Sequence, residues 1–507
     1  MTEYDLAGLA ERANDRHVVI VGGGVSGLVA AREMARLGIH ATVLEASERP
    51  GGAVRSGEVA GIRLDLGAES FATRGGHVQK LIDDLGLAGD VVEPDHSAGG
   101  AWVAGVPGIG SAPLPKGGIL GIPANPFADD VRRVIGWGGS WRAYMDRLRP
   151  NLRIGHATSL GQLVRSRMGE KVLDRLVAPV TSGVYSASAD DIDPAIAAPG
   201  LNGAMTRTGT LSGAVLELLE QRKQASAKAP GGAVKGLRGG MGRLIEALVA
   251  DITERGSEVR TGITVTGITA GEERAWRVNT DQLEAIEATE DAAAETEQRP
   301  VVLDADAVII ATEEGPARHL LAPLVADLAA EPEAPGPAVS IVTLVIDLPA
   351  LAAAPRGTGV LTVPGSHTAK ALTHASAKWA WVREAAPDGT HVVRVSFGSV
   401  AENPATDGLT PQQQTELARE QASKLLGMEL PADSIRGSRL ERFQQSQPAA
   451  THGHREQTEK ARSAIRTIDT IGAVGAWLAG TGLAQVVPDA VEETDRVRRA
   501  VLFGGTE

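Results

Sequence analysis

The sequence predicts an α/β fold in which an open parallel sheet flanked by helices is joined to a β-rich second domain and a helical subdomain. Three stretches predict it. Near the start, an apolar strand runs directly into closely spaced glycines and a helix: His17-Val18-Val19-Ile20-Val21-Gly22-Gly23-Gly24-Val25-Ser26-Gly27-Leu28. Between Ala128 and Arg175, apolar residues recur at helical spacing (Val131, Val134, Ile135; Leu160, Leu163, Val164; Val172, Leu176). From Val339 to Phe397 strand-like runs recur: Val339 to Ile346, Val360 to Val363 and Val392 to Phe397.

The first stretch reads as a Rossmann-type element. Gly22 permits the tight turn, Gly24 lets a pyrophosphate approach the backbone, and Gly27 lets helix and strand pack closely. Phosphates would sit at the helix N-terminus, where free N–H groups and the macrodipole favour anions. The helix continues through Leu28 to Leu37 and ends at Gly38. A second strand, His40 to Leu44, then delivers Glu45, placed to accept hydrogen bonds from a ribose diol. A carboxylate there disfavours a 2′-phosphate, which argues against NADP.

Glu45 is followed by Arg49-Pro50-Gly51-Gly52-Ala53-Val54-Arg55-Ser56, then by Asp65-Leu66-Gly67-Ala68-Glu69-Ser70-Phe71. The glycine pair with flanking arginines resembles the R-x-G-G segment of amine oxidase-like flavoproteins, in which the Gly-Gly backbone lies against the flavin diphosphate and an arginine supplies charge-assisted hydrogen bonds. The nucleotide then reads as FAD rather than NAD.

Composition narrows the class. A chain of 507 residues has room for two or three domains. Its 43% apolar and 22% charged content is ordinary for a soluble globular protein. Net charge of −13 argues against nucleic acid as a partner. Met1 to Arg16 is polar and acidic, and the two long chargeless stretches, Ser97 to Pro115 and Ile471 to Pro488, are broken by Gly and Pro. The expectation is a cytoplasmic protein with at most peripheral membrane contact. With no cysteine, disulfides, thiolate nucleophiles, Cys-ligated metals and a cysteinyl flavin link are excluded, so redox chemistry falls to a bound cofactor. The 11 histidines form no metal signature, and none is assigned; His452 and His454 share no helical face.

Further along, residues 96–126 read as hairpins and loops, and Leu237-Arg238-Gly239-Gly240-Met241 as a loop opening a helix. Strands are expected at Glu258 to Arg260, Thr264 to Ile268, Trp276 to Val278 and Ala307 to Thr312. The acidic, Ala-rich stretch between Thr280 and Pro300 reads as a mobile surface loop. Ile468 to Leu483 forms a late strand and glycine loop, followed by a helix from Asp489 to Val501, which would bring a second helix terminus to the flavin ring.

The order of motifs resembles the oxygen-dependent protoporphyrinogen/coproporphyrinogen oxidases over nearly the whole chain. Gly67-Ala68-Glu69-Ser70-Phe71 is similar to that family's G-P-[ED]-S-F element, and Pro179-Val180-Thr181-Ser182-Gly183-Val184-Tyr185-Ser186 to its P-x-x-S-G-V-Y segment. Leu237 to Met241, Ala375-Ser376-Ala377-Lys378-Trp379 and Gln447 to His454 resemble three further segments. The closest likeness is to the Gram-positive, coproporphyrin-forming branch. Ala68, Ala53 and Ala450 depart from its usual Pro, Lys/Arg and Tyr, and Gly475 to Thr481 is less polar than expected.

The resemblance implies non-covalent FAD held by Gly22, Gly23, Gly24, Val25, Ser26 and Gly27 at the pyrophosphate and by Glu45 at the ribose. Ala46, Arg49, Gly51, Gly52, Ala53 and the Gly67, Ala68, Glu69 and Ser70 backbone would flank the diphosphate and ring. Val265 would lie near the adenine, and Ala476, Thr481, Gly482 and Leu483 at the pyrimidine end. It implies an FAD domain from residues 1–85, 235–320 and 460–507, a substrate domain from 86–125, 200–234 and 321–459, and a helical subdomain at 126–199. The reaction implied is oxidation of coproporphyrinogen III to coproporphyrin III in haem biosynthesis, with O2 as acceptor and H2O2 as product.

No protein acid or base is assigned. The substrate, a flexible apolar polycarboxylate, needs an apolar slot and cations for its propionates. Arg74 is the first candidate cation and Lys378 the second, each with a solvated surface charge as the alternative; Tyr185 is a candidate wall residue, with a core tyrosine as its alternative. Transient contact with other haem-synthesis enzymes is a further expectation. Protoporphyrinogen IX oxidation, a flavin amine oxidase, a carotenoid desaturase and a non-enzymatic FAD-containing porphyrin carrier remain open on these residues alone.

Overall fold

In the computed structural model, described for residues 6–149, 159–228, 234–285, 298–329, 336–444, 451 and 453–504, five parallel strands form the central sheet. Their order is Glu258–Thr261, His40–Glu45, His17–Val21, Ala307–Ile310 and Ile471–Ala473. All pair in parallel, with Val19 opposite Thr42 on one side and Val308 on the other. Burial on both faces explains the unbroken apolar run His17–Val21. Val18 and Ile20 pack against the helices Val25–Ala35 and Leu483–Phe503, while Val19 and Val21 face the cluster of Ile263, Val278, Leu320 and Ile465.

A seven-stranded sheet forms the second layer, in the order Ile435–Gln444, Ala338–Asp347, Thr390–Phe397, Ala371–His374, Gly359–Thr362, Ala101–Val106 and Gly110–Pro113. Its pairings are antiparallel except between Gly359–Thr362 and Ala101–Val106. One face packs on the helix Pro411–Leu426 through Val342, Leu344, Val393 and Leu425. A third core gathers Val131, Val134, Leu163 and Leu176 with Ala204, Leu211 and Val215.

Two expectations change. Asp281 to Ala285 and Gln298 to Pro300 are strand, not loop, because the strands Trp276–Ala285 and Gln298–Ala305 pair as one long hairpin. Residues 286–297 of that acidic stretch lie outside the described residues, as do Gln447 to Ala450 and His452. The C-terminal helix starts at Leu483 rather than Asp489 and runs through Pro488, its sixth residue, whose ring leaves the Ala484 carbonyl without its N–H donor. Leu201, Ala204, Leu211 and Val215 pack in one cluster with Val103, Val106 and Ala112 of the seven-stranded sheet and with the helices around Val134.

Candidate functional site

The site is built on the turn after His17–Val21. Gly22 bends the chain at φ +107°, and its N–H bonds the carbonyl of Leu44 at 2.8 Å. A Cβ on Gly22 would stand 2.8 Å from the Ala311 oxygen, and one on Gly27 would stand 2.0 Å from the Gly22 oxygen. Those two glycines are therefore dictated by packing. Gly24 differs: a Cβ there would meet nothing within 4 Å, so its front is open. It caps the helix without any side-chain bond, and the first intrahelical bond runs from Leu28 N–H to its carbonyl at 3.0 Å. The N–H groups of Val25, Ser26 and Gly27 thus precede the ladder at an open, electropositive helix end.

Glu45 is already turned toward this loop. Its Oε2 accepts from Gly23 N–H at 2.7 Å, and its Oε1 from Ser47 N–H at 2.9 Å and Ser47 Oγ at 2.7 Å. The second glycine pair seals the cradle. Gly51 N–H bonds the Gly23 carbonyl at 2.8 Å, and a Cβ on Gly52 would lie 3.3 Å from Gly24 Cα. Ala53 accepts from Ala68 N–H at 2.8 Å, and Gly67 approaches Ala53 so closely that a Cβ would stand 2.1 Å from its oxygen. Arg49 is exposed and donates to the Ser56 carbonyl at 3.3 Å. Ala46 is exposed beside Glu45, and Val265 is buried in the cluster beneath the sheet. Leu483 and Ala68 both pack on the core that holds Val25 and Leu28. The terminal loop, with Gly475 at φ +127°, the single turn Ala476–Ala479, exposed Thr481 and the helix cap Gly482, therefore returns to the same helix. The open front at Gly24, the free helix N–H groups and the preset carboxylate fit a dinucleotide.

Glu69 links this cradle to the seven-stranded sheet. Its Oε1 accepts from Lys378 Nζ at 2.5 Å and its Oε2 from Arg394 at 2.7 Å; Arg394 also donates to the Gly67 carbonyl. Burial raises the Glu69 pKa, but the Lys378 and Arg394 charges and their hydrogen bonds override it and hold the carboxyl down at about 2. Lys378 is thereby committed to Glu69 rather than standing free for a substrate carboxylate. Arg394 is the residue that sequence reasoning missed. The signal was available: an arginine inside the apolar strand Thr390–Phe397, where a buried charge needs a partner.

Ser70, next in line, is half-buried. Arg74 is exposed, and Tyr185 ends the helix Ala178–Tyr185. Burial pushes the Tyr185 phenol up, opposed by the charges of Arg74 and Arg222. Arg222, on the helix Leu211–Lys228, was not singled out in the sequence. Among the described residues, neither arginine bonds a carboxylate. Also among them, no helix is long and apolar enough to cross a membrane.

The glycine cradle, the preset acid and the clasped second sheet form an α/β protein with a site shaped for a dinucleotide. The chain belongs to the flavin containing amine oxidoreductase family, whose profile matches residues 25–501, and it is therefore a flavin enzyme. It is 27% identical to the coproporphyrinogen III oxidase of Propionibacterium freudenreichii subsp. freudenreichii, over 97% of this chain and 92% of that protein. It is 25% identical to the coproporphyrinogen III oxidase of Bacillus subtilis, over 94% of this chain and 96% of that one. A crystal structure from Exiguobacterium sp. 255-15 superposes with a TM-score of 0.76 at 24% identity, covering 95% of this chain and 98% of that one, a likeness that shows the fold.

Proposed function

We propose that this chain is an FAD-dependent coproporphyrinogen III oxidase that uses O2, releases H2O2 and binds FAD non-covalently. The observation that carries the reading is the open dinucleotide cradle at Gly24 facing the preset Glu45; Arg74 and Arg222, which pair with no carboxylate among the described residues, are its candidate propionate partners. A flexible polycarboxylate macrocycle needs such cations at an apolar wall. The naming of its relatives along almost the full chain supports the same reading. Bound FAD would supply hydride acceptance and electron transfer to O2. The chain's own part is positional. Glu45 would orient the ribose and the helix end at Val25 to Gly27 would hold the diphosphate, while Glu69, Lys378 and Arg394 tie the Gly67 segment to the second sheet. Arg74 and Arg222 would receive propionates, and Tyr185 would wall the macrocycle from water.

The test is porphyrin fluorescence from FAD-loaded protein given coproporphyrinogen III and protoporphyrinogen IX in parallel, with and without O2. Oxygen-dependent fluorescence from coproporphyrinogen supports the proposal. Fluorescence only from protoporphyrinogen moves the substrate, and none from either refutes the oxidase reading.

A further inference from the structure

Lys370 is a cation drawn into the protein without a counter-charge. It precedes the strand Ala371–His374, and its main chain is bonded to both neighbouring strands. Its N–H donates to the Ser396 carbonyl at 2.9 Å, and its carbonyl accepts from Thr362 N–H at 3.2 Å and Thr362 Oγ1 at 3.0 Å. The residue is half-buried, and its Nζ donates to Ser186 Oγ at 2.6 Å. Among the described residues no carboxylate bonds it. Burial alone brings its pKa down to about 8. An ammonium has three N–H donors, of which Ser186 takes one.

Ser186 is held as firmly. It caps the helix Ala178–Tyr185 in the left-handed conformation (φ 55°, ψ 23°), uncommon for a residue with a Cβ, and it is buried. Its N–H bonds the Ser182 carbonyl at 3.1 Å, and its own carbonyl accepts from Val400 N–H at 2.9 Å. The helix end presses on the strand Gly359–Thr362: a Cβ on Gly183 would stand 2.5 Å from Leu361 Cδ2. Val184, two residues before Ser186, and Val400, bonded to it, are 64% and 42% exposed. An ammonium with two spare donors is therefore mounted on a segment that presents apolar side chains to the outside.

We propose that Lys370, braced by Ser186, binds a carboxylate carried on an apolar body. This rests on the porphyrinogen reading, under which the carboxylate is a propionate that coproporphyrinogen III has and protoporphyrinogen IX lacks. Arg74 and Arg222 suffice for the two acids of a dicarboxylate, so a third cation gains a use only on a tetracarboxylate. An ammonium taken out of water without a counter-ion costs stability, and a ligand carboxylate offsets that cost through charge-assisted hydrogen bonds. A site built this way also rejects the analogue lacking the acid, because the cation is then left unpaired. The two valines suit the apolar pyrrole edge beside the propionate.

The experiment is equilibrium binding of coproporphyrin III, a tetracarboxylate, and protoporphyrin IX, a dicarboxylate, to the FAD-loaded protein, wild type and Lys370→Met. The variant should bind coproporphyrin about tenfold more weakly and protoporphyrin almost unchanged. It removes a half-buried charge, so it should fold at least as well as wild type, which circular dichroism and flavin content check. In the wild type, coproporphyrin should also slow acylation of Lys370, read by peptide mass spectrometry. Unchanged coproporphyrin affinity in the variant, equal weakening of both porphyrins, or no protection of Lys370 would each overturn the proposal and leave the oxidase reading standing on turnover. Wild-type protein that binds neither porphyrin would overturn both.

Discussion

Glu69→Gln is the substitution whose cost follows most directly from the structure. The Glu69 side chain is 13% exposed and lies between Lys378 and Arg394, which are 22% and 7% exposed. Its carboxyl is held at about 2 against an ordinary value of 4.5. At about 1.4 kcal/mol per pKa unit, that shift contributes roughly 3 kcal/mol to stability at neutral pH. The amide keeps the shape and some hydrogen bonding but leaves Arg394 buried without its counter-charge, which alone costs roughly 3–5 kcal/mol in comparable sites. The expected loss is therefore about 3 kcal/mol. Because the folded carboxyl is depressed, the contribution is complete above the unfolded value near 4.5 and declines as pH falls from there toward 2. Urea unfolding of the flavin-loaded wild type and variant, at pH 7 and in steps down to the most acidic pH the fold tolerates, measures both size and slope. A variant within about 0.5 kcal/mol of wild type at pH 7 would refute the clasp. So would a wild type–variant difference that widens in acid.

Glu45→Ala should weaken FAD binding by roughly 1–3 kcal/mol, the range for hydrogen bonds to a charged group, while the fold persists; isothermal titration of the apoprotein measures it, and unchanged affinity would remove the ribose role. Arg74→Gln and Arg222→Gln should each raise KM for coproporphyrinogen with little change in kcat, since a carboxylate contact remote from the reacting carbon stabilises ground and transition states alike. A drop in kcat at constant KM would place them elsewhere in the cycle. Lys370 donates to Ser186 Oγ at 2.6 Å, and burial lowers its pKa to about 8. The folded state gives up that proton before the unfolded state does, so stability should rise with pH between about 8 and 10.5. Lys370→Met should accordingly raise Tm at pH 7, with the gain shrinking by pH 9.5; a variant less stable at both would contradict this.

What sequence could reach was set by whether the physical constraint is local. The turn at Gly22 to Gly27, the strand His40–Glu45 and the helix after Leu237 each have their cause within a dozen residues, in tight turns, close strand–helix approach and caps, so each was legible along the chain. The extent of the hairpin through Asp281 and Gln298 was not, because an acidic, Ala-rich composition mimics a loop while backbone pairing with a strand across the hairpin decides the outcome. The early start of the helix at Leu483 was hidden by Pro488, which reads as a helix boundary although this helix runs through it. The charges on the substrate side are a different case. Arg74, Arg222, Lys378 and Arg394 come from four separate segments, and only the folded arrangement sorts them into two pairs of opposite use. Lys378 and Arg394 converge on one carboxylate and hold the layers together, whereas Arg74 and Arg222 pair with no carboxylate among the described residues. A cation on a flavoprotein sequence thus predicts ligand binding only after its intramolecular partner is known. By that criterion Lys378 and Arg394 are poor candidates for a ligand carboxylate, because both cations are already taken by Glu69.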